Sequence, residues 1–190
     1  MKKSITITGS LGSGKSTVAK MLAQKLEYPY YSTGEAQREI AQKMGMTTLQ
    51  LNHLSDKDPS IDVQIDGIFK KLGQDGKTYV VDSRLAWHFM PDSLKVKLEV
   101  SPTIAAERIM NDRERSGERR YLTISQVMNE TISRRQSERS RFLKTYQVDI
   151  DDNSQFDLVI DTTDKTPEQI CEIILEKYNL NKTGPNIGEE

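Results

Sequence analysis

Two hydrophobic periodicities take turns along this chain. Lys3 to Thr8 is a β-branched run that ends at Gly9 and predicts a strand; from Ser16 to Glu27, Val18, Met21, Leu22 and Leu26 recur at helical spacing. Tyr28 to Ser32 is a short aromatic strand, and Ser32-Thr33-Gly34-Glu35 opens a helix that runs to about Lys43 before Gly45 breaks it. Thr47 to Leu54 gives another short helix, ended by the polar run Ser55 to Pro59. Ser60 is expected to cap a helix over Ile61–Leu72, with Ile61, Ile65, Ile68, Phe69 and Leu72 as its apolar stripe. Asp58, Asp62 and Asp66 repeat every four residues on another side and predict a solvated face, with recognition of a base's amino group by Asp62 or Asp66 as the lesser alternative.

Thr78 to Asp82 has too little polar alternation for an exposed edge and predicts a central strand. Lys95 to Val100 alternates cleanly, as a fourth strand should. Helices over Pro102 to about Arg113 and Thr123 to about Phe142, a last strand over Phe156–Ile160 and a last helix over Pro167–Tyr178 complete the pattern. Arg113 to Tyr121 sets Gly117 among charges without apolar periodicity, which predicts a mobile lid. The end of the chain, from Asn179, carries Gly, Pro and acids and is expected to be disordered.

Strands alternating with helices imply a three-layer α/β fold around a parallel sheet. One domain over residues 1–180 accounts for the pattern, followed by a disordered tail over 181–190. Its core comprises 1–32, 77–112 and 123–180, with a strandless helical insertion at about 33–76 and the lid at about 113–122.

Composition narrows the partners. A net charge of −1 provides no overall basic field, so nucleic acid is not expected as a partner. The arginines are nonetheless clustered: nine of eleven fall between Arg108 and Arg141, which marks a second anion-handling region. The single cysteine, Cys171, excludes an internal disulfide, and its setting Ile170-Cys171-x-Ile173-Ile174 predicts a buried structural thiol. No apolar run approaches the roughly 18 residues of a membrane span, and Met1-Lys2-Lys3 leads straight into a strand rather than a signal sequence. A cytoplasmic monomer without membrane contacts is expected. His53 and His88 lack neighbours at metal-ligand spacing, so no transition-metal site is expected; His88, among Trp87, Phe89 and Met90, reads as a packing residue.

The chemistry centres on Gly9-Ser10-Leu11-Gly12-Ser13-Gly14-Lys15-Ser16-Thr17, the pattern G-x-x-x-x-G-K-S between a strand and a helix. Glycines there let successive N–H groups turn inward around a phosphate, and the helix that follows points its positive end at the same place. Lys15 supplies a cation for the outer phosphates and Ser16 a hydroxyl ligand for Mg²⁺. Gly9, Ser10, Gly12, Ser13, Gly14, Lys15, Ser16 and Thr17 are therefore expected to hold a nucleoside triphosphate.

Transfer of the γ-phosphoryl group needs an acceptor held in line and its charge neutralised, a task suited to the planar fork of arginine. Arg38 and Arg84 each follow a strand-end turn, and in a parallel sheet both turns open on the edge that carries the phosphate loop. Arg134 and Arg141, seven residues apart, share a helix face, while Arg135 and Arg139 read as solvated surface charges. Arg113, Arg115, Arg119 and Arg120 flank Gly117 in a cationic flap that could contribute one arginine finger. Asp82, at the end of its strand, either orients Mg²⁺ through water or caps a helix. A GTPase switch is disfavoured because N-K-x-D is missing; Asn181-Lys182-Thr183-Gly184 is incomplete. A regulatory nucleotide-binding protein is a further alternative, against which the arginine-rich flap argues.

From about Lys3 to Tyr178 the chain resembles the cytidylate kinases, in particular the compact archaeal-type branch of the P-loop nucleoside monophosphate kinases. The resemblance rests on Gly9 to Thr17, Tyr31-Ser32-Thr33-Gly34-Glu35-x-x-Arg38, Asp58-Pro59-x-Ile61-Asp62 with Ile65-Asp66, and Asp82-Ser83-Arg84-Leu85-Ala86. Arg134-x-x-Ser137-Glu138-x-x-Arg141-Phe142 and the closing Phe156 to Thr162 complete it. It implies a three-layer P-loop NTPase fold with a five-stranded parallel sheet, the insertion as the monophosphate-binding part, and transfer from ATP-Mg to CMP or dCMP. It also implies that Thr33, Arg38, Arg84, Arg134 and Arg141 bind the acceptor, and that Arg113 acts near adenine or the phosphates. Lys15, Arg113 and Arg134 would be the catalytic cations, and Ser16 with Asp82 (through water) would hold Mg²⁺. Another monophosphate, or a non-nucleotide metabolite, is the alternative acceptor. The family usually has glycine where this chain has Ser83, and a side chain there is expected to crowd the acceptor pocket or alter the turn.

Overall fold

A β-branched run without polar alternation is stable only where both of its faces are covered. Strand β1 (Ile5–Gly9) is such a run: Ile5 and Ile7 are wholly buried on one face, and Thr6 and Thr8 nearly so on the other. In the computed structural model, which describes residues 3–112 and 123–183, β1 is the middle strand of the sheet. The proposed lid at 113–122 and the tail beyond 183 lie outside the described residues.

The chain continues through α1 (Lys15–Leu26), β2 (Tyr30–Ser32) and three consecutive helices, α2 (Thr33–Lys43), α3 (Thr48–Ser55) and α4 (Ser60–Leu72). Then follow β3 (Val80–Asp82), the short α5 (Ala86–Phe89), β4 (Leu94–Glu99), α6 (Pro102–Asn111), α7 (Ile124–Tyr146), β5 (Leu158–Asp161) and α8 (Pro167–Thr183). All strand pairs are parallel and their order is β2-β3-β1-β4-β5. Because β3 lies on one side of β1 and β4 on the other, the order reverses at β1. A crevice therefore opens at its carboxyl end, where ligands bind in sheets of this kind.

One face of the sheet packs on α1 and α8, with Ile5, Ile7, Val96 and Leu98 against Val18, Leu22, Ile174 and Tyr178. Cys171 is buried in that layer, as its apolar setting predicts. On the opposite face Val81 packs against Ile65, Phe69 and Leu72 of α4, and Leu85 and Trp87 against Phe142 and Val148. Residues of α6 and α7 form a smaller cluster that takes in Leu11 of the phosphate loop.

Helix starts follow their caps. Ser32 accepts from the Glu35 amide, Ser101 from Ile104, and Thr123 forms a reciprocal capping box with Gln126. The expected cap at Ser60 is corrected: α4 begins directly after Pro59, and the Asp58 carboxylate accepts from the Ser60 amide. The expected wet face of α4 is corrected too. Asp62 and Asp66 are 5% exposed because α7 covers that side, whereas Ile68, counted in the apolar stripe, is 42% exposed. Helix α7 runs one turn further than its periodicity indicates, to Tyr146, and α8 continues to Thr183. Residues 179–183 are therefore helical rather than part of a disordered end. Among the described residues no helix is long and apolar enough to cross a membrane.

Candidate active site

The loop after β1 is wedged between two neighbours. A Cβ on Gly9, at φ +145°, would stand 2.1 Å from the Leu98 carbonyl oxygen of β4; one on Gly12, at φ +78°, would stand 2.6 Å from that of Ala105 in α6. No other residue type fits either position without moving backbone. Arg108 of α6 braces the loop from outside, donating to the carbonyls of Thr162 at 2.8 Å and Thr163 at 3.3 Å, with Gly12 at the limit of reach. The buried Thr162 hydroxyl lies 3.2 Å from the Ser13 carbonyl oxygen and 3.0 Å from that of Glu99.

Helix α1 begins at Lys15, so its positive end meets the loop it follows. Lys15 Nζ donates to the Ser10 carbonyl oxygen at 2.7 Å, inside the turn that a phosphate would enter. Ser16 Oγ donates to Asp82 Oδ2 at 2.5 Å. A hydroxyl and a carboxylate from two elements thus converge beside the loop, and two hard oxygen donors suit Mg²⁺. Of the two expectations for Asp82, helix capping is corrected: α5 has no side-chain cap from it, and its bond is to Ser16.

Across the pocket stand the arginines. Arg84 follows β3 directly, and its Nε lies 2.5 Å from Glu138 Oε2, while Arg134 Nε lies 3.1 Å from Glu138 Oε1. The side chains of Arg84, Arg134 and Glu138 are 16%, 12% and 5% exposed, so one buried carboxylate orients two guanidinium groups. Burial pushes the Arg84 pKa below its ordinary value; Glu138 opposes that shift and the nearby Arg134 adds to it. Arg84, Arg134 and Glu138 line one solvent-open crevice together with Thr8 to Leu11 at the end of β1. Four cationic residues, Arg84, Lys97, Arg134 and Arg135, against the single acid Glu138 leave its lining positive, the condition for taking a polyanion.

Arg141 is placed differently from its helix-mate. Nε donates to Asp62 at 2.8 Å, Nη1 to Asp56 at 2.5 Å and Ser137 at 2.9 Å, and Nη2 to Asn52 at 3.1 Å. Of the two arginines expected on one face of α7, Arg134 lines the pocket and Arg141 joins α7 to α3 and α4. Arg135 and Arg139, expected to be solvated, are half-exposed and paired with Asp149 and Asp151. Ser32 and Asp82 stand opposite each other in register, so the chain leaves β2 and β3 side by side. Thr33, next after Ser32, is buried with its hydroxyl unpartnered, and Arg38 stands exposed one turn further along α2. Arg113, with Arg115, Arg119 and Arg120, lies outside the described residues.

Ser83 does not crowd the pocket. Its Oγ accepts from the amides of Leu85 and Ala86, each at 3.2 Å, so the side chain turns into the bend and closes it. Sequence reasoning named Glu138 within the family motif without giving it a role, and it missed Arg108 and Lys97. Glu138 carried a signal, because its spacing of four from Arg134 permits an ion pair on one helix face. Lys97 carried none; it occupies a polar position of an alternating strand, yet it is buried, bonded to Asn153 and set over the Phe156 ring.

A phosphate loop at the switch point of a parallel sheet, faced across a crevice by buried guanidinium groups, defines a P-loop kinase. The chain belongs to the cytidylate kinase-like family, whose model matches residues 4–164. It is 36% identical over 172 residues to the cytidylate kinase of Methanocella arvoryzae, a match that covers 90% of this chain and 94% of that one. It is also 34% identical over 179 residues to an S-adenosylmethionine-dependent nucleotide dehydratase of Lacinutrix mariniflava; that match takes in 94% of this chain and 36% of the relative. Among solved structures, shikimate kinase from Bacteroides thetaiotaomicron is similar in fold, with a TM-score of 0.64 at 15% identity over 94% of this chain and 99% of that one.

Proposed function

We propose that this chain transfers the γ-phosphoryl group of ATP to CMP or dCMP, giving CDP or dCDP. The observation that carries the reading is the pairing of Arg84 and Arg134 on Glu138, across one cavity from the phosphate loop. Family membership supports the acceptor, since the relative from Methanocella arvoryzae is named for cytidylate.

In this mechanism the amides of Gly9 to Thr17 and the Lys15 ammonium hold the triphosphate. Ser16, with Asp82 through water, would hold Mg²⁺, which would supply positive charge against the phosphates. Arg38, Arg84 and Arg134, with the Thr33 hydroxyl, hold the acceptor phosphate. An oxygen of that phosphate attacks the γ-phosphorus in line; the new P–O bond forms as the bond to the β,γ-bridging oxygen breaks, and the electron pair leaves with ADP. Lys15 and Arg134, with Arg113, neutralise charge on the migrating group. Arg141 serves the acceptor by holding the 33–76 insertion against α7.

The test is an acceptor panel with ATP and Mg²⁺. CMP or dCMP is expected to be phosphorylated in preference to AMP, UMP and GMP. Robust turnover of a non-nucleotide metabolite, with every monophosphate inert, would refute the substrate while leaving a kinase.

A further inference from the structure

The bend between β3 and α5 is held by two hydroxyl groups that the reaction does not use. Ser83 continues the ladder of the sheet, its amide donating to the Ile7 carbonyl at 3.0 Å, while its Oγ accepts from the amides of Leu85 and Ala86. Ser83, Leu85 and Ala86 are at most 3% exposed, so no water replaces that oxygen. Positive φ among non-glycine residues is confined to Glu27 and Gln147 across the described chain, so a side chain at Ser83 carries no backbone strain. On the far side of Arg84, its carbonyl accepts from Thr8 Oγ1 at 3.1 Å and from the Trp87 indole at 2.9 Å. Thr8 is the last residue before Gly9. The peptide unit that follows Arg84 is thus held at both ends, its amide by the Ser83 hydroxyl and its carbonyl by Thr8 of the strand that launches the phosphate loop.

We propose that Ser83 is a positioning residue for acceptor binding: its hydroxyl sets the bend that presents the Arg84 guanidinium, and the Thr8 hydroxyl fastens that bend to β1. Without the Ser83 oxygen two buried amides lose their partner, and the bend gains freedom at the one residue whose direction matters. The inference rests on Arg84 holding the acceptor phosphate.

Steady-state kinetics with CMP and ATP-Mg, each varied against the other at saturation, test it. Ser83→Ala is expected to raise the KM for CMP about fivefold, the scale of a lost cap, with the KM for ATP changed less than about twofold. Ser83→Thr, which keeps the oxygen, is expected to restore the KM for CMP. In an Arg84→Ala background Ser83→Ala should add nothing, because it acts through that arginine. Thr8→Val, which removes the second hydroxyl and keeps the shape, should show the same split between substrates. Equal effects on both substrates, or the same fold-change with and without Arg84, would overturn the inference. If Arg84→Ala by itself leaves the KM for CMP unchanged, the assignment of Arg84 fails instead; a marked Arg84→Ala effect beside a silent Ser83→Ala sinks the inference alone.

Discussion

At the scale of single residues, Glu138 governs more of the pocket than any cation in it. Its two carboxylate oxygens serve two arginines that arrive from different elements, and its side chain is 5% exposed. Glu138→Gln leaves both guanidinium groups near each other without the anion between them. Removing one member of a buried pair is expected to destabilise by about 3 kcal/mol, read as a lower urea midpoint with an unchanged slope. An unchanged midpoint would show that the two cations are solvated after all. The glycines and Lys15 were legible in the sequence because a phosphate loop imposes its demands locally, residue against neighbouring residue. Glu138 was half legible: its spacing from Arg134 is written in the helix, but its partner Arg84 is joined to it only by folding. For Ser83 the sequence left two outcomes open, crowding the pocket or acting on the turn, and its side chain turns back to its own next two amides.

At the scale of elements, the contact of α4 with α7 concentrates ionisable groups in a dry place. Asp66 accepts from the Tyr146 hydroxyl at 2.9 Å, one turn from Asp62, which is bonded to Arg141. Burial pushes the Asp66 carboxyl from 3.8 up to about 7; the Tyr146 hydrogen bond and the Arg141 charge hold it down, and the Asp62 charge adds to the rise. Burial raises Asp62 as well. A raised folded-state value means that between about pH 4 and pH 7 the folded chain binds more protons at Asp66 than the unfolded one. Stability from this group is full below that window and is lost as pH rises through it. Asp66→Asn should therefore flatten the decline in Tm across this range relative to the parent; parallel Tm profiles would refute the assignment. None of this was readable from α4 by itself. Aspartates at every fourth position look solvated until another helix is laid over them, and α7 comes from far along the chain. Periodicity did find nearly every helix and strand, erring at ends such as Tyr146 and Thr183.

At the scale of the whole molecule, a parallel sheet in the order β2-β3-β1-β4-β5 brings Lys15 and Arg84 to one edge from distant points in the sequence. This was inferable before any coordinates, since parallel strands joined by helices open all their β-to-α turns on one side. Two ligands sharing one edge should stabilise separately. A non-hydrolysable ATP analogue with Mg²⁺ is expected to raise Tm, and CMP to raise it further, each contributing about 2.7 kcal/mol at a hundred times its Kd. Lys15→Ala should abolish the first increment and spare the second; Arg84→Ala should do the reverse. Loss of both increments in either variant would mean that the two sites are one.

Arg141 carries a consequence for anyone wishing to re-engineer the acceptor. With its guanidinium nitrogens bonded to Asn52, Asp56 and Asp62, the 33–76 segment is not a detachable module on a neutral chassis. A graft of that segment from a kinase with another preference would arrive without the counterpart written into α7, and would meet a buried cation bereft of acceptors. Exchange of specificity within this architecture must move both stretches of sequence together, so the heritable unit of substrate choice is discontinuous in the gene although contiguous in space.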